Sequence, residues 1–280
     1  MNFLLGCAVW SHKDWVGELF PAGSRSRDFL SLYSRRFTTV EGNTTFYAVP
    51  DADTVRRWAA ETPEGFEFCL KLPRDITHQG SLTRAIPEAL RFYDRMQPLG
   101  TRLGPMFVQL PPSYSPAQLD DLAVFLQAWQ QTNTRLAVEV RHRAWFSTPH
   151  SHNLDRLLRD FGCGRVLLDS RPIYQDAQAD FERRKPNLPL ATSVTADFSL
   201  IRFASHPDRD RNQPFLEDWA DRLHEWLGQT RVYFYIHCPI EARSPANASL
   251  VQQVLEQRGV PVPPLPWNQL DAAPAQLNLF

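Results

Sequence analysis

The chain has 280 residues, and its 30 Lys plus Arg against 31 Asp plus Glu leave a net charge close to zero. This balance argues against a broad basic surface for nucleic acid or an anionic membrane, so an anion site must be local. No apolar run approaches the roughly 20 residues of a membrane span. The first residues have neither the basic start nor the long apolar region of a signal peptide. We therefore expect a soluble, cytoplasmic protein without a membrane partner.

The four cysteines are far apart in the chain, and none has the close spacing of a zinc knuckle or a redox pair. Three of them lie inside apolar runs. We expect buried free thiols in a reducing compartment.

Strand and helix patterns alternate along the chain. Buried-strand composition recurs at residues 3–10, 38–41, 66–71, 106–110, 136–140, 166–169, 200–203 and 232–237. Helical spacing follows at residues 24–37, 51–61, 87–96, 116–131, 154–161, 215–227 and 246–256. The crossover from the sixth to the seventh strand, which contains RRKP at 183–186, is the least regular segment.

Eight strands at the spacing of a βαβ unit predict an α/β fold, a single (β/α)8 TIM-type barrel over residues 1–259. An open nucleotide-binding sheet is disfavoured, because the chain has 12 glycines and lacks both Gly-x-Gly-x-x-Gly and a phosphate-binding Walker loop.

Polar and ionisable residues stand near the carboxyl ends of the predicted strands. In a barrel these positions converge on the face where barrel enzymes place their sites. The alternative is a buried ion-pair network that only stabilises the barrel mouth. The positions are Trp10, Glu41, Lys71, Gln109, Glu139, Asp169, Arg202 and His237.

The cations Lys71, Arg141 and Arg202 indicate a ligand site for a phosphate or carboxylate, with histidines close by. Glu41 and Glu139 are candidates for general acid/base catalysis. The further catalytic candidates are His142, Asp169 and His237, and the further ligand-binding candidates are Trp10, Tyr47 and His78.

Aromatic residues fall in the loops at the same mouth, where they could stack a base or a sugar; packing of the core or of a lid is the alternative. They are Trp10, Trp15, Phe46, Tyr47 and Trp145.

A divalent metal could bind Glu41, Glu139, Asp169 and His237, but the neighbouring cations oppose it. We identify no cofactor and assign no metal ligand.

Seven motifs in order resemble the YecE-like family, known as domain of unknown function 72, from about Gly6 to Asn247. They are WSHKDW at 10–15, EGNTTFY at 41–47, FEFCLK at 66–71 with ITH at 76–78, VQLPP at 108–112, VEVRH at 138–142, LDSRP at 168–172 and LIRF at 200–203. The resemblance implies a TIM-type barrel without an established reaction. It also implies a shared polar site, which adds Asn43 to Glu41, Lys71, Glu139, Arg141, His142, Asp169 and Arg202. The GCAVW at 6–10 departs from the Gly-Thr-Ser-Gly-Trp common in the family, which puts a role for that first loop in doubt.

Residues 260–280 form a proline-rich tail that should be extended and poorly ordered. It ends in QLNLF, which looks like the short peptide by which bacterial repair proteins dock on the DNA sliding clamp. Gln276, Leu277, Leu279 and Phe280 would then bind the partner. The alternative is that the apolar end folds back on the barrel.

The leading hypothesis is therefore a barrel enzyme, with hydrolase-like or lyase-like acid/base chemistry on a small anionic substrate. The second is a DNA repair or processing factor that the tail recruits to the clamp and whose barrel binds nucleic acid. The third is a non-catalytic anion-binding module.

Overall fold

The computed structural model of the protein describes residues 2–176, 180–183 and 185–267. Eight strands follow one another in the chain: β1 (Phe3–Cys7), β2 (Thr39–Gly42), β3 (Glu67–Leu70), β4 (Met106–Gln109), β5 (Leu136–Glu139), β6 (Gly164–Asp169), β7 (Phe198–Ala204) and β8 (Arg231–His237). The α-helices of the described residues are α1 (Phe29–Tyr33), α2 (Ala52–Glu61), α3 (Arg74–Thr77), α4 (Ile86–Met96), α5 (Leu119–Trp129), α6 (His150–Asp160), α7 (Arg171–Gln175), α8 (Gln213–Trp226) and α9 (Ser244–Gln257).

The strands are parallel and close into a barrel. Hydrogen-bonded ladders run in the order β1-β8-β7-β6-β5-β4, and β2 pairs with β3. Bridges at Phe68–Leu103 and Lys71–Phe107 join β3 to the β4 side. The last gap closes where the Thr38 amide donates to the Leu5 carbonyl at 3.3 Å. The predicted (β/α)8 barrel is therefore confirmed.

The seam between β1 and β2 is unusually tight. The Tyr33 hydroxyl accepts the Cys7 amide at 2.6 Å and donates to the Thr39 carbonyl at 3.1 Å, so it bridges the two strands. A Cβ atom on Gly6 would lie 2.0 Å from the Thr39 oxygen. Glycine is required here because the β2 backbone occupies the space of a side chain.

Side chains alternate between the barrel interior and the helix layer, as the two-residue period of a strand requires. The interior cluster is formed by Leu4, Cys69, Phe107, Ala137, Val166, Phe198, Leu200, Tyr233 and Tyr235. On most strands, the next inward position towards the carboxyl end is polar. The apolar filling therefore ends in a layer of hydrogen-bonding side chains.

Described residues of the crossover between β6 and β7 lie beside the barrel mouth. Ser170 Oγ donates to the Pro186 carbonyl at 2.9 Å, and the Tyr174 hydroxyl donates to the Lys185 carbonyl at 2.7 Å. Arg183 Nε donates to the Ile173 carbonyl at 2.9 Å. These contacts tie Arg183, Lys185 and Pro186 to α7 and to the residue before it.

The start of the predicted tail packs on the barrel. Val260 is buried in the main core, and the Trp267 ring lies 5.0 Å from the Phe37 ring. Arg36 Nη1 donates to the Trp267 carbonyl at 2.6 Å. Residues 260–266 thus have no helix or strand, yet they and Trp267 pack on the barrel.

All four cysteines are free and buried, as their spacing predicts. Within residues 2–176, 180–183 and 185–267, no helix is long and apolar enough to cross a membrane.

We predict that Gly6→Ala destabilises the protein by about 1–3 kcal/mol, because the new methyl group forces β1 away from β2. Gly228→Ala is the matched control, since a Cβ there meets no atom within 4 Å. Urea denaturation of both variants measures the difference. Equal stability of the two variants would show that the seam yields without cost.

Candidate functional site

A cavity of about 590 Å³ opens at the carboxyl ends of the strands. This volume suits a small molecule. Many residues predicted from strand ends and loops line it together: Asn43, Tyr47, Lys71, His78, Gln109, Arg141, Arg202 and His237. Tyr47 is 81% exposed, which places it at the rim.

Arg202, on β7, is the centre of the polar layer and is only 1% exposed. Its Nε and Nη2 donate to the two oxygens of Glu41, at 2.8 and 2.7 Å. Its Nη1 donates to Glu139. One guanidinium thus pairs with carboxylates from two strands, β2 and β5. Its single positive charge balances only one of them, and desolvated charges of this kind must be paired, so a second cation is needed.

A second set of contacts extends from Glu139 to the cavity. Arg141 donates through Nε to Glu139 at 2.8 Å and through Nη2 to Gln109 Oε1 at 2.6 Å. Lys71 Nζ donates to the same Gln109 oxygen at 2.9 Å. The amide of Gln109 therefore holds two cations at the cavity wall without neutralising either.

Glu41 has two further partners. The Asn43 amide donates to Glu41 Oε1 at 2.5 Å and to the Ala8 carbonyl at 3.0 Å. His237 Nε2 lies 3.0 Å from Glu41 Oε2. Burial lowers the pKa of His237 to about 3, although the Glu41 charge acts to raise it. His237 is therefore neutral at pH 7 and donates its Nε2–H to Glu41.

The two predicted acid/base residues are ionised partners of arginine. Burial acts to raise the pKa of Glu41, but Arg202 and His237 hold it well below the usual value. Burial acts in the same way on Glu139, and Arg202 and Arg141 lower its pKa below the usual range. Carboxylates with such low pKa values are poor general bases at neutral pH. In this geometry Glu41 and Glu139 position Arg202.

Two other groups titrate near neutral pH. Burial and the neighbouring Arg202 charge lower the pKa of Lys71 to about 7. Burial raises the pKa of Glu241 to about 7, although Ser244 and Lys185 act to lower it. Glu241 lines the cavity, and its Oε1 has no hydrogen-bond partner among the described residues. These are the protonation states that proton transfer at pH 7 needs.

Sequence reasoning missed Glu241 and Lys185, which both line the cavity. Burial and the Arg202 charge lower the pKa of Lys185 well below its usual value. Glu241 follows β8 by four residues, so attention to the whole strand-end loop could have found it. Lys185 could have been found from a different signal, because lysine is rare in this chain.

Asp169 and His142 are two predicted residues that do not line the cavity. The Asp169 side chain points from β6 away from the barrel interior. There it accepts hydrogen bonds from Arg171 at 2.9 and 2.8 Å and from Trp219 Nε1 at 2.8 Å. His142 Nδ1 accepts the Ala144 amide at 3.2 Å and so caps a short helical turn.

The aromatic loop residues divide in the same way. Trp10 packs edge-on against Trp58 and Phe68, with ring centroids 5.1 and 6.1 Å away. Trp15 and Trp145 are fully buried in the core. Phe46 lies at the cavity, with its ring centre 3.5 Å from Lys71 Nζ.

Two further predictions concern a metal ion and the C-terminal tail. Within the described part of the chain, no group of three His, Cys, Asp or Glu side chains is placed to hold a metal ion. The proposed clamp-binding residues Gln276, Leu277, Leu279 and Phe280 lie outside the described residues.

We predict that Arg202→Met lowers the stability at pH 7.5 by about 3–5 kcal/mol, because it leaves two buried carboxylates without their main counter-charge. In the wild type the folded pKa values of these glutamates are low. Their contribution is therefore fully present above the unfolded pKa of about 4.3 and is lost only in stronger acid. In the variant burial raises both pKa values, so the deficit should shrink between pH 7.5 and pH 5.

Urea denaturation at the two pH values measures this change. Arg56→Met is the matched control, since the Arg56–Asp53 pair is exposed on α2 and should contribute little at either pH. A deficit of equal size at pH 7.5 and pH 5 would contradict the assignment of Arg202.

Comparison with known proteins agrees with the barrel and its motifs. The family model "Protein of unknown function DUF72" matches residues 4–270. The UPF0759 protein YecE of Escherichia coli K12 is 35% identical over 99% of both chains. A DUF72 family protein of Thermotoga maritima, TM1631, has a TM-score of 0.70 at 21% identity, covering 91% of this chain and all of that one. A xylose isomerase-like TIM barrel/4-hydroxyphenylpyruvate dioxygenase fusion protein has a TM-score of 0.51 at 18% identity, covering 94% of this chain and 45% of that one. The chain therefore belongs to the DUF72 family.

Proposed function

We propose that the barrel mouth binds a small anionic substrate, bearing a phosphate or carboxylate, and catalyses proton transfer on it. The observation that supports this most directly is the distribution of charge around the cavity. Glu41 and Glu139 are already paired with Arg202 and Arg141, and two further amines, those of Lys71 and Lys185, line the same cavity. Donors with unused N–H groups in a concave site are the chemistry that recognises an anion.

The lowered pKa values of the lysines support the same conclusion. Lys71 and Lys185 lose part of their affinity for protons because burial and Arg202 disfavour another positive charge. An anion in the cavity would reverse this repulsion and favour both ammonium forms. An anion that enters the cavity would therefore gain favourable interactions with both lysines.

Glu241 is the candidate general acid/base. Its pKa of about 7 leaves the protonated and ionised forms both populated at neutral pH. Glu241 lines the same cavity as the cations, and its Oε1 has no hydrogen-bond partner among the described residues. This carboxyl group replaces Glu41 and Glu139 in the acid/base role, because arginine partners keep those two ionised.

We expect sulfate to raise the melting temperature of the protein, and the rise to be smaller in Arg141→Gln, because that change removes one cavity cation. Sulfate is a suitable probe because its charge does not change near neutral pH. Any pH dependence of its binding therefore comes from groups of the protein. Arg143→Gln is the matched control, since Arg143 is exposed and does not line the cavity. Thermal denaturation against sulfate at constant ionic strength measures both. Stabilisation that is the same in the two variants would remove the cavity as the anion site.

We expect Glu241→Gln to lower any activity found in a screen of phosphoesters, sugar phosphates and oxoacids by about 10²–10⁴-fold. The variant should still be stabilised by sulfate, because its charge is not needed to hold the anion. Glu64→Gln is the control, because Glu64 is exposed and does not line the cavity. An unchanged rate in Glu241→Gln would exclude this acid/base role, and sulfate binding without turnover would favour the non-catalytic module.

A further inference from the structure

Lysine is rare in this protein, and its placement is uneven. Only three of the 30 basic residues are lysines: Lys13, Lys71 and Lys185. Lys13 is exposed in a short helical turn, whereas Lys71 and Lys185 line the same cavity. Arginine stays protonated in proteins, but the lysine amine can lose its proton and become a nucleophile. A chain that uses arginine for most of its cations thus keeps two of its three primary side-chain amines at one site.

Hydrogen bonds hold the backbone of Lys71 in place. Its amide donates to the Gly42 carbonyl at 3.4 Å, and its carbonyl accepts the Thr45 hydroxyl at 2.6 Å. The side chain is buried, so it reaches the cavity from a fixed strand end. Preorganisation of this kind is what an attacking group needs.

The surroundings of the Lys71 amine also favour a nucleophile. Nζ donates to the neutral Gln109 amide at 2.9 Å and lies 3.5 Å from the centre of the Phe46 ring. Among the ion pairs of the described residues, none within 4.0 Å joins a carboxylate to Lys71. The pKa of about 7 agrees with this geometry, since a sizeable share of the amine is neutral at neutral pH.

We propose that Lys71 forms an imine with the carbonyl group of an anionic carbonyl substrate. This inference rests on the proposed anion site, in which Arg141 and Lys185 hold the phosphate or carboxylate of that substrate. The Phe46 ring would then lie against the positively charged iminium, an arrangement that aromatic faces stabilise.

The step balances without an oxidant or a metal ion. The lone pair of Lys71 Nζ attacks the carbonyl carbon, a C–N bond forms and the C=O π electrons move to oxygen. A proton passes from nitrogen to that oxygen, which gives a neutral carbinolamine. Addition of one more proton releases water as the C–O bond breaks, and the nitrogen lone pair completes the C=N bond of the iminium.

His78 is placed to move these protons. It lines the cavity beside Lys71, whose charge, after burial, lowers the pKa of the imidazole. Its Nδ1 lies 2.7 Å from the Thr77 hydroxyl, and the residue is half-buried, so the ring can exchange protons with solvent. The proton that completes the water molecule thus comes from solvent through His78.

Lys185 is the weaker nucleophile, because its backbone lies outside the regular elements and several charged side chains act on its amine. It lies on the irregular crossover after β6, and the charges of Arg202, Glu41 and Glu139 act on its amine. An anion held in the cavity would favour the ammonium form of Lys185, which could then orient that anion. The attacking amine is therefore assigned to the strand end.

The test is reductive trapping on the full-length protein. The protein is incubated with pyruvate, with dihydroxyacetone phosphate or with neutral acetone, and sodium borohydride then reduces any imine to a stable secondary amine. Peptide mass spectrometry locates the adduct, which three lysines make unambiguous. Pyruvate and dihydroxyacetone phosphate separate a carboxylate from a phosphate as the anionic group.

We expect an adduct on Lys71 with at least one of the anionic probes and about tenfold less with acetone, because the anion fixes the carbonyl at the amine. Lys71→Arg should abolish the adduct and still be stabilised by sulfate, since arginine keeps the charge but cannot form an imine. Lys13→Arg is the matched control and should be trapped like the wild type. The position of the adduct in the wild type decides the matter even if a Lys71 variant does not fold.

Adducts on Lys13 or Lys185 with none on Lys71 would overturn the proposal. Sulfate stabilisation together with no trapping by either anionic probe would overturn the imine and leave the proposed anion site intact. Loss of both sulfate stabilisation and trapping would instead remove the anion site on which the imine depends.

Discussion

The pairing of Arg202 with Glu41 and Glu139 is the constraint on which the rest of the site depends. Three charges are buried together, and each would be costly without the others. The pairing keeps both carboxylates ionised, so they do not compete for protons near neutral pH. Arg141 supplies the second positive charge, because its Nε donates to Glu139. Lys71, at the cavity, instead donates to the neutral Gln109 amide.

The geometry of that pairing is set by the closure of the barrel. Thr39 and Glu41 lie two residues apart on β2 and so share its inward face. The Tyr33 hydroxyl holds the β2 backbone against β1 at the Thr39 carbonyl, and Gly6 leaves room for the approach. The seam thereby fixes the height at which Glu41 meets Arg202. Stability at the seam and charge arrangement in the site are thus parts of one structure.

The site divides its cations by chemistry. Arg202 and Arg141 carry permanent charge and make fixed hydrogen bonds with carboxylates. Lys71 and Lys185 contribute amines whose protonation responds to burial and to what the cavity holds. Glu241 adds a carboxyl group that titrates in the same range. A permanent inner layer beneath a titratable outer layer is an arrangement that can bind an anion and exchange protons with it.

The sequence by itself determined the barrel and most of the mouth, because eight strand patterns at βαβ spacing place their ends on one face. Glu41, Lys71, Glu139 and Arg202 follow from that rule. The tertiary structure alone decided which way each side chain points. Asp169 ends a strand buried on both faces, whose continuous apolar run gives no alternation from which to read its outward parity. The tertiary structure also decided the protonation states, because a pKa depends on burial and on charges that distant strands bring together.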